Sequence, residues 1–406
     1  MNFVAGRTSS GRFVAAGPTR EHTIIAVSYP IIDDAFYIAL YDAAGQIKNY
    51  LASDIFNSPL VSVNFKLTEN GCGEFKLTLD RQSASLITTN QRISIFMYGE
   101  QTPRYTGYVM QRALPGGTTD TIEVSGYGFY EKLDKIIINM TTWTNVDVSD
   151  AVMDLIKNYV SPKTGITWNN DKVVATGFVL TGQKFVAQSA KDVLETLAEY
   201  ADDYVYGVDH LKEFFFKPRA TTVDDKARLW VGQHIFTFEP SEDTSDVVNY
   251  FYVKYGEEQE DGSNYYQDSN GNYIPFSDAE SIAKYGYRED VLTAETAVTA
   301  ADVERWAAVT LAAKKDAAVS AKVGKCIPEI VKRNIKPEGI AVITTADGAE
   351  YQYQVTEVNY SLSGGNGVSM EMTLGAKPAR IDKYIKQIIK AQKASDALAE
   401  LNDSNS

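Results

Sequence analysis

The sequence predicts a β-rich α+β fold in which two blocks of antiparallel strands flank an α+β block and a helix ends the chain. Three observations lead to this prediction. Segments that alternate apolar and polar residues recur between short Gly-, Asn- and Pro-containing turns. One central stretch changes to helical spacing. The 406 residues also include 25 Tyr, 17 Phe and 28 Gly, and Tyr and Phe favour half-buried strands.

Residues 1–50 are interpreted as an N-terminal arm that leads into a first strand. Gly, Ser, Thr and Arg dominate the first twenty residues, and the strand-like segment HTIIAVSY follows at 22–29. The apolar stretches near the start are too short and broken for a signal peptide. No run approaches the roughly 18 apolar residues of a membrane-spanning helix. We therefore expect neither an export signal nor a membrane segment.

Residues 51–135 form the first β-rich block. Asn70-Gly71 and Gly73 supply residues that tolerate a positive φ, so they predict a hairpin loop with Cys72 at its tip. Short turns join five alternating segments, which is the pattern of an antiparallel sheet or barrel. The predicted strands are VSVNFKLTE, EFKLTLD, RISIFMYG, RYTGYVMQR and TIEVSGYGF.

Residues 136–235 form the α+β middle block. Apolar residues recur at helical spacing between Val148 and Tyr159. Ser189 and Asp192 predict a capping box at the start of a second helix. After it, Tyr204 to Phe216 reads as a hairpin with a turn near Asp209.

Residues 236–380 form the second β-rich block, and residues 381–406 form a final helix and tail. The block begins with the strand VVNYFYVKYG and contains a helix capped by Thr299. Three strands end it: GIAVITTADG, YQYQVTEVNYSLS and GVSMEMTLG. The final helix places apolar residues at heptad positions with one polar interruption, so it either packs on its own domain or pairs with copies or another protein. These positions are Ile381, Tyr384, Ile388, Ala391, Ser395 and Leu398.

Composition excludes several functional classes. The formal net charge of −14 argues against general nucleic-acid binding, which needs Lys and Arg surfaces. Cys72 and Cys326 are the only cysteines, so a cysteine-rich zinc site or a disulfide framework is excluded and two free thiols are expected.

No catalytic, cofactor-binding or metal-binding residue is predicted. His22, His210 and His234 are the only histidines, and neither an HExxH nor a G-x-S-x-G motif is present. The Gly-rich segments LSGGNGVSM and KVGKC lack the spacing of a phosphate-binding loop. The acidic pairs are interpreted as solvated or turn residues, because neighbours on a strand face opposite ways. They are Asp33-Asp34, Asp202-Asp203 and Glu257-Glu258.

The segment Asp268–Asn272 leaves two interpretations open. Asp268, Asn270 and Asn272 offer oxygen ligands at positions 1, 3 and 5, as the start of an EF-hand loop does. However, Gly271 comes at position 4 rather than 6, and position 12 is Ala279. A turn between two strands explains the segment equally well, and a Ca²⁺ site is the weaker alternative.

The order of the motifs over residues 51–380 resembles phage tail hub proteins, the baseplate hub or tail-tip proteins of tailed bacteriophages. The residues that carry the first motif are Gly73, Phe75, Leu77, Leu79, Asp80 and Arg81. Further motifs follow in the family's order: ISIFMY, YTGYV, VSGYGF, SAKDVLETLAEY with YVYGVD, YGYRED at 285–290, YQVTEVNYSLSGG and MTLG. Hub proteins often carry a peptidoglycan-cutting or fibre domain after this region, whereas here one helix follows, so a lytic role is not expected.

The resemblance implies two tail-tube-like antiparallel β-barrel domains per chain and a homotrimeric hub ring at the tail tip of the virion, made in the host cytoplasm. Six barrels would then join a sixfold tube to a threefold tip. The implied partners are a distal tail or tail tube protein, the tape measure protein and a central spike or fibre, in a virion structure that serves host attachment. Whether genomic DNA passes through the ring stays open, and no specific nucleic-acid binding is expected. The alternative is a carbohydrate-binding or cell-wall-degrading tail component.

Overall fold

The computed structural model describes residues 36–52, 60–114, 117–201, 203–255, 264–294, 299–363 and 367–375, and the short strands Ala5–Arg7 and Phe13–Ala15. Several predictions lie outside these residues: the strand at 22–29 and the helix and tail at 381–406. The same holds for His22, Asp202 and the acidic pairs Asp33-Asp34 and Glu257-Glu258.

The N-terminal third of the chain consists mainly of antiparallel strands. All five strands predicted in this part are present, and the hairpin loop lies between β5 and β6, as predicted. A 3-10 helix, Arg81–Leu86, follows β6, and a second, Phe129–Lys135, follows β9. The strands are β1 (Ala5–Arg7), β2 (Phe13–Ala15), β3 (Phe36–Tyr41), β4 (Ile47–Ala52), β5 (Leu60–Thr68), β6 (Gly71–Asp80), β7 (Arg92–Met97), β8 (Tyr105–Arg112) and β9 (Thr121–Gly128).

The middle of the chain contains the predicted helices and hairpin. Ser189 caps the third helix by accepting a hydrogen bond from the Asp192 backbone N–H. A π-helical stretch, Leu155–Val160, continues the first helix. The elements are β10 (Ile137–Asp147), α1 (Val148–Asp154), α2 (Ser161–Thr164), β11 (Thr167–Val173), β12 (Val179–Ser189), α3 (Ala190–Ala198), β13 (Tyr204–Val208) and β14 (Glu213–Pro218).

The C-terminal part again consists mainly of strands, with three helices between them. Thr299 and Asp302 form a capping box at the start of α5, which confirms the predicted helix start. The elements are β15 (Val223–Trp230), β16 (Ile235–Asp243), β17 (Tyr250–Tyr255), β18 (Phe276–Ser277), α4 (Ala279–Tyr285), β19 (Glu289–Ala294), α5 (Ala300–Lys314), β20 (Ala318–Cys326), α6 (Pro328–Lys332), β21 (Ile340–Thr344), β22 (Glu350–Ser363) and β23 (Gly367–Gly375).

One large sheet joins the two predicted β-rich blocks. Its strands lie in the order β16-β20-β23-β22-β5-β6-β9-β8-β7-β3-β4. The β-rich character is therefore confirmed, while the pairings among the described strands leave this path open and close no barrel. The boundary predicted at residue 51 falls inside β4, which pairs with β3 in this same sheet.

The two larger of the three apolar clusters among the described residues divide the molecule differently from the order of the chain. The first core combines residues from 36–124 with residues from 227–235 and 321–374. The second combines residues from 129–216 with residues of β17, β19 and α5. Residues 250–314 are thus inserted between β16 and β20, which pair with each other, and the insertion packs on the α+β block. These residues are predicted to belong to the second β-rich block because they are contiguous with it in the sequence.

The same strand-pairing order occurs twice. In the first β unit, defined as β5–β9, the antiparallel pairs are β5–β6, β6–β9, β9–β8 and β8–β7. In the second β unit, defined as β16 with β20–β23, they are β16–β20, β20–β23, β23–β22 and β22–β21. A short helix follows the second strand of each unit, Arg81–Leu86 in one and α6 in the other. The outer neighbours differ, since β3 runs antiparallel to β7 and β15 runs parallel to β21.

Candidate assembly surfaces

The two β units meet at a seam between β5 and β22. Seven residue pairs form this antiparallel ladder, from Thr68 opposite Glu357 to Ser62 opposite Ser363. The seam's centre is apolar on one face, where the fully buried rings of Phe65 and Tyr360 stack with centroids 4.8 Å apart. Backbone pairing and aromatic burial therefore hold the units in one relative position.

The other face of the seam is polar. The Lys66 ammonium lies 3.3 Å from the Glu357 carboxylate across the seam, and Lys76 pairs with Glu123 at 2.7 Å on neighbouring strands. A groove of about 480 Å³ crosses this face. Its lining includes Asn64, Lys66, Lys76, Asn359, Ser361, Ser369 and Glu371. This face is suited to contact with water or a polar polymer rather than to packing in a core.

Arg104 forms a second connection between the units. Its side chain is fully buried, and its Nε and Nη2 donate to the Glu100 carboxylate at 2.7–3.0 Å. The same guanidinium donates from Nη1 to the Val331 carbonyl at 2.7 Å and from Nη2 to the Lys332 carbonyl at 3.1 Å. These carbonyls lie at the C-terminal end of α6, where a cation is favourable. Arg104 thus clamps the first unit to the helix of the second.

The predicted hairpin loop at Asn70-Gly71 is also a docking point. The Asn70 side chain donates to the Tyr206 carbonyl at 2.7 Å, and the Asn70 carbonyl accepts from the Val208 N–H at 3.1 Å. Gly71 has φ +98°, and a Cβ there would lie 1.9 Å from the Val208 carbonyl oxygen. Glycine is therefore needed both for the turn and for the approach of β13.

The prediction that Cys72 lies at the tip of this loop is wrong. Cys72 lies in β6, is buried in the first core, and its Sγ accepts a hydrogen bond from the Thr106 N–H at 3.3 Å. The alternation of β6 turns this side chain inward. Cys72 and Cys326 are both free, as expected, and burial raises the pKa of each thiol to about 12.

The two described histidines occupy separate structural positions. His210 lies in the turn between β13 and β14, beside a small cavity that Glu69, Lys336 and Glu338 also line. Burial, and next the positive charge of Lys336, lowers the pKa of His210. His234 lies in the turn between β15 and β16, and its Nδ1 accepts a hydrogen bond from the Trp230 N–H at 3.3 Å. Within the described ranges, no group of His, Cys, Asp or Glu could hold a metal ion.

The remaining acidic candidates also serve local structure. The Asp203 carboxylate accepts a hydrogen bond from Arg219 Nε at 2.7 Å, and Arg219 also pairs with Glu69. Asp268 accepts from the backbone N–H groups of Asn270 and Asn272 at 2.8 and 2.9 Å. The hydrogen bond from the Asn272 side chain, and next these backbone bonds, lower the pKa of Asp268. The turn interpretation explains this geometry.

A tyrosine patch on the outer face of β17 is not predicted from the sequence. The Tyr250 and Tyr252 hydroxyls lie 3.2 Å apart, and the Tyr287 ring meets the Tyr250 ring edge-on at 5.7 Å. Tyr287 is 66% exposed. The i, i+2 spacing of Tyr250 and Tyr252 on a predicted strand was the signal that could have found it.

Among the described residues, no helix combines the length and apolar character that crossing a membrane requires.

Comparison with known proteins gives a structural likeness without a sequence match. No protein-family model and no curated protein matches the sequence. Many solved structures match, and three of them have TM-scores of 0.56–0.59 with most of both chains covered. The 43 kDa tail protein of prophage MuSo2 from Shewanella oneidensis has a TM-score of 0.59 and 15% identity, and the match covers 84% of this chain and 98% of that one.

The other two structures are a tail protein from Neisseria meningitidis MC58 and a prophage tail protein from Listeria monocytogenes EGD-e. Their TM-scores are 0.58 and 0.56, at 10% and 14% identity. The matches cover 84% and 89% of this chain, and 96% and 99% of theirs. This chain therefore has the fold of phage tail proteins.

Proposed function

We propose that this chain is a structural component of a phage tail that forms the trimeric hub ring at the tail tip and lines its channel. The repeated strand-pairing order carries this proposal. The seam and Arg104 hold two units of the same topology together in one chain. Three chains therefore contain six comparable units. Such a ring can face a sixfold tube on one side and a threefold tip on the other.

The mechanism is mechanical and needs no chemical step. The buried ring pair of Phe65 and Tyr360 and the Arg104 clamp keep the two units from moving relative to each other. The polar face of the seam, with Lys66, Glu357 and Asn359, is the surface assigned to the channel. We propose a distal tail or tube protein, the tape measure protein and a spike or fibre as partners, and no catalytic role. The fold shared with three tail proteins supports a location in the virion tail.

Light scattering on the purified chain tests the ring. A mass of three times the 44.8 kDa chain is expected, because six units require three chains. A single-chain mass at micromolar concentrations contradicts the proposal.

One observation favours a second candidate, contact with a carbohydrate. The patch of Tyr250, Tyr252 and Tyr287 brings three phenol rings into contact, with Tyr287 66% exposed, and such rings combine apolar area with hydrogen bonding. Binding of host cell-wall polysaccharide to the chain, lost in Tyr287→Ala and retained in Tyr351→Ala at another exposed tyrosine, would support this candidate.

A further inference from the structure

The hydrogen-bond register relates the two β units residue by residue. Val109 and Val355 each donate a backbone N–H to the residue just before the neighbouring strand, Gln91 at 3.0 Å and Gly339 at 2.9 Å. The same register shift follows each valine, before Gln111 and before Glu357. Residues paired on successive strands form a row across each unit. In the first unit one row is Val109, Gly126, Phe75 and Phe65. The corresponding row in the second unit is Val355, Leu374, Ala321 and Pro240.

This correspondence assigns a counterpart to each side of the seam. β5 of the first unit corresponds to β16 of the second, and β22 of the second corresponds to β8 with the residues after it. Lys66 lies opposite Asn359 in the seam. By the same rows, Ser241 corresponds to Lys66 and Ala113 corresponds to Asn359.

Among the described residues, neither counterpart surface has a strand paired along it as the seam does. β16 is the last strand of the large sheet, and its ladder among the described residues is with β20 only. Leu114 corresponds to Tyr360, yet Leu114 is 69% exposed while Tyr360 is 1% exposed. A large apolar side chain stands in solvent where its counterpart is covered by the neighbouring unit.

The charges on the two surfaces are complementary. The seam pairs Leu67 with Val358, and their counterparts are Glu242 and Arg112. Arg112 already donates from Nη1 to two carbonyls in the same unit, which fixes its position and leaves the other guanidinium N–H groups for a carboxylate. Glu242 is exposed on the edge strand.

The two surfaces of one chain cannot meet each other. Six strands lie between β16 and β8 in the sheet. The partner of β16 must therefore be the β8 end of another copy, and head-to-tail repetition of that contact produces a ring when the rotation closes.

We propose that β16 of one copy pairs antiparallel with residues 111–114 of the next, with Ser241 opposite Ala113 and Glu242 opposite Arg112. This junction rests on the proposed ring and specifies its interface between copies. Pro240 lacks an N–H, so the ladder has fewer hydrogen bonds than the seam, and the same proline limits unwanted pairing of this edge strand.

Disulfide trapping tests the register. The variant carrying Ala113→Cys and Ser241→Cys should form a covalent trimer under mild oxidation. The Cα atoms of opposed residues in an antiparallel pair lie about 4.5–5.5 Å apart, which is within the Cα–Cα range of a disulfide. A mixture of the two single variants should give covalent dimers only. The native thiols do not compete, since both are buried.

A matched control combines Ala113→Cys with Ser245→Cys, four residues further along and outside the register, and it should not cross-link. Light scattering on each unoxidised variant separates the possible failures. A trimeric mass without cross-linking of the Ala113–Ser241 pair, or equal cross-linking of the control, overturns this junction and leaves the hub ring standing. A single-chain mass for the native protein overturns both.

Discussion

Replacing Arg104 by methionine should be strongly destabilising. The substitution keeps much of the buried side-chain volume but removes every hydrogen bond to Glu100 and to the carbonyls of Val331 and Lys332. An orphaned carbonyl costs about 1–3 kcal/mol, and removing one partner of a buried ion pair costs about 3–5 kcal/mol. The Glu100 side chain is 25% exposed and partly hydrated, so we expect a loss of about 3 kcal/mol, at the low end of that range.

Urea unfolding followed by tryptophan fluorescence measures this loss. With a slope of about 3 kcal/mol per molar urea, the midpoint should fall by about 1 M. The double variant Arg104→Met with Glu100→Gln should recover part of the loss, because no uncompensated carboxylate remains. Arg104→Lys keeps the charge but not the planar fork and should fall between the native protein and Arg104→Met. A midpoint change below about 0.3 M in Arg104→Met would refute the clamp.

Three further predictions follow from single residues. Gly71→Ala should destabilise the protein by about 2–5 kcal/mol, because the new Cβ strains the backbone and collides with β13. The control Gly45→Ala, at φ +78° with open space around it, should cost only about 1–2 kcal/mol. Equal urea midpoints for the two variants would contradict the close approach of β13 to Gly71. Burial lowers the pKa of His210, so the unfolded state binds the proton more readily and the stability of the native protein falls as pH drops below about 6.5. Between about pH 8 and about pH 5, His210→Gln should therefore lose less stability than the native protein. Equal losses in the two proteins would count against the lowered pKa. Cys72 and Cys326 should resist a thiol reagent in the folded protein and react fully in urea, because the pKa of each is about 12; rapid labelling of the native chain would show that they are accessible.

Local chemistry explains what the sequence predicted well. Ser189 and Thr299 mark helix starts because a side-chain oxygen followed by an acid three residues later satisfies backbone N–H groups within one turn. Along most of β5, β6 and β9, apolar and polar residues alternate because one face of each strand is buried and the other is polar.

The missed features depend on contacts distant in sequence. β3 is buried along its whole length, so it shows no alternation. The insertion at 250–314 packs on the middle block through α5, for example through Trp306 Nε1 donating to Glu199 at 3.0 Å, and no local pattern signals that contact. Arg104 bonds to carbonyls 227 and 228 residues away, and backbone carbonyls carry no sequence signature.

The most direct test of the central claim is a single-particle electron microscopy reconstruction of the purified chain without imposed symmetry. The account predicts three copies around an open channel, six β units in alternation, and the polar face of Lys66 and Glu357 turned toward the channel. A reconstruction with single chains, or with a ring in which the two units of each chain occupy unrelated positions, would contradict it.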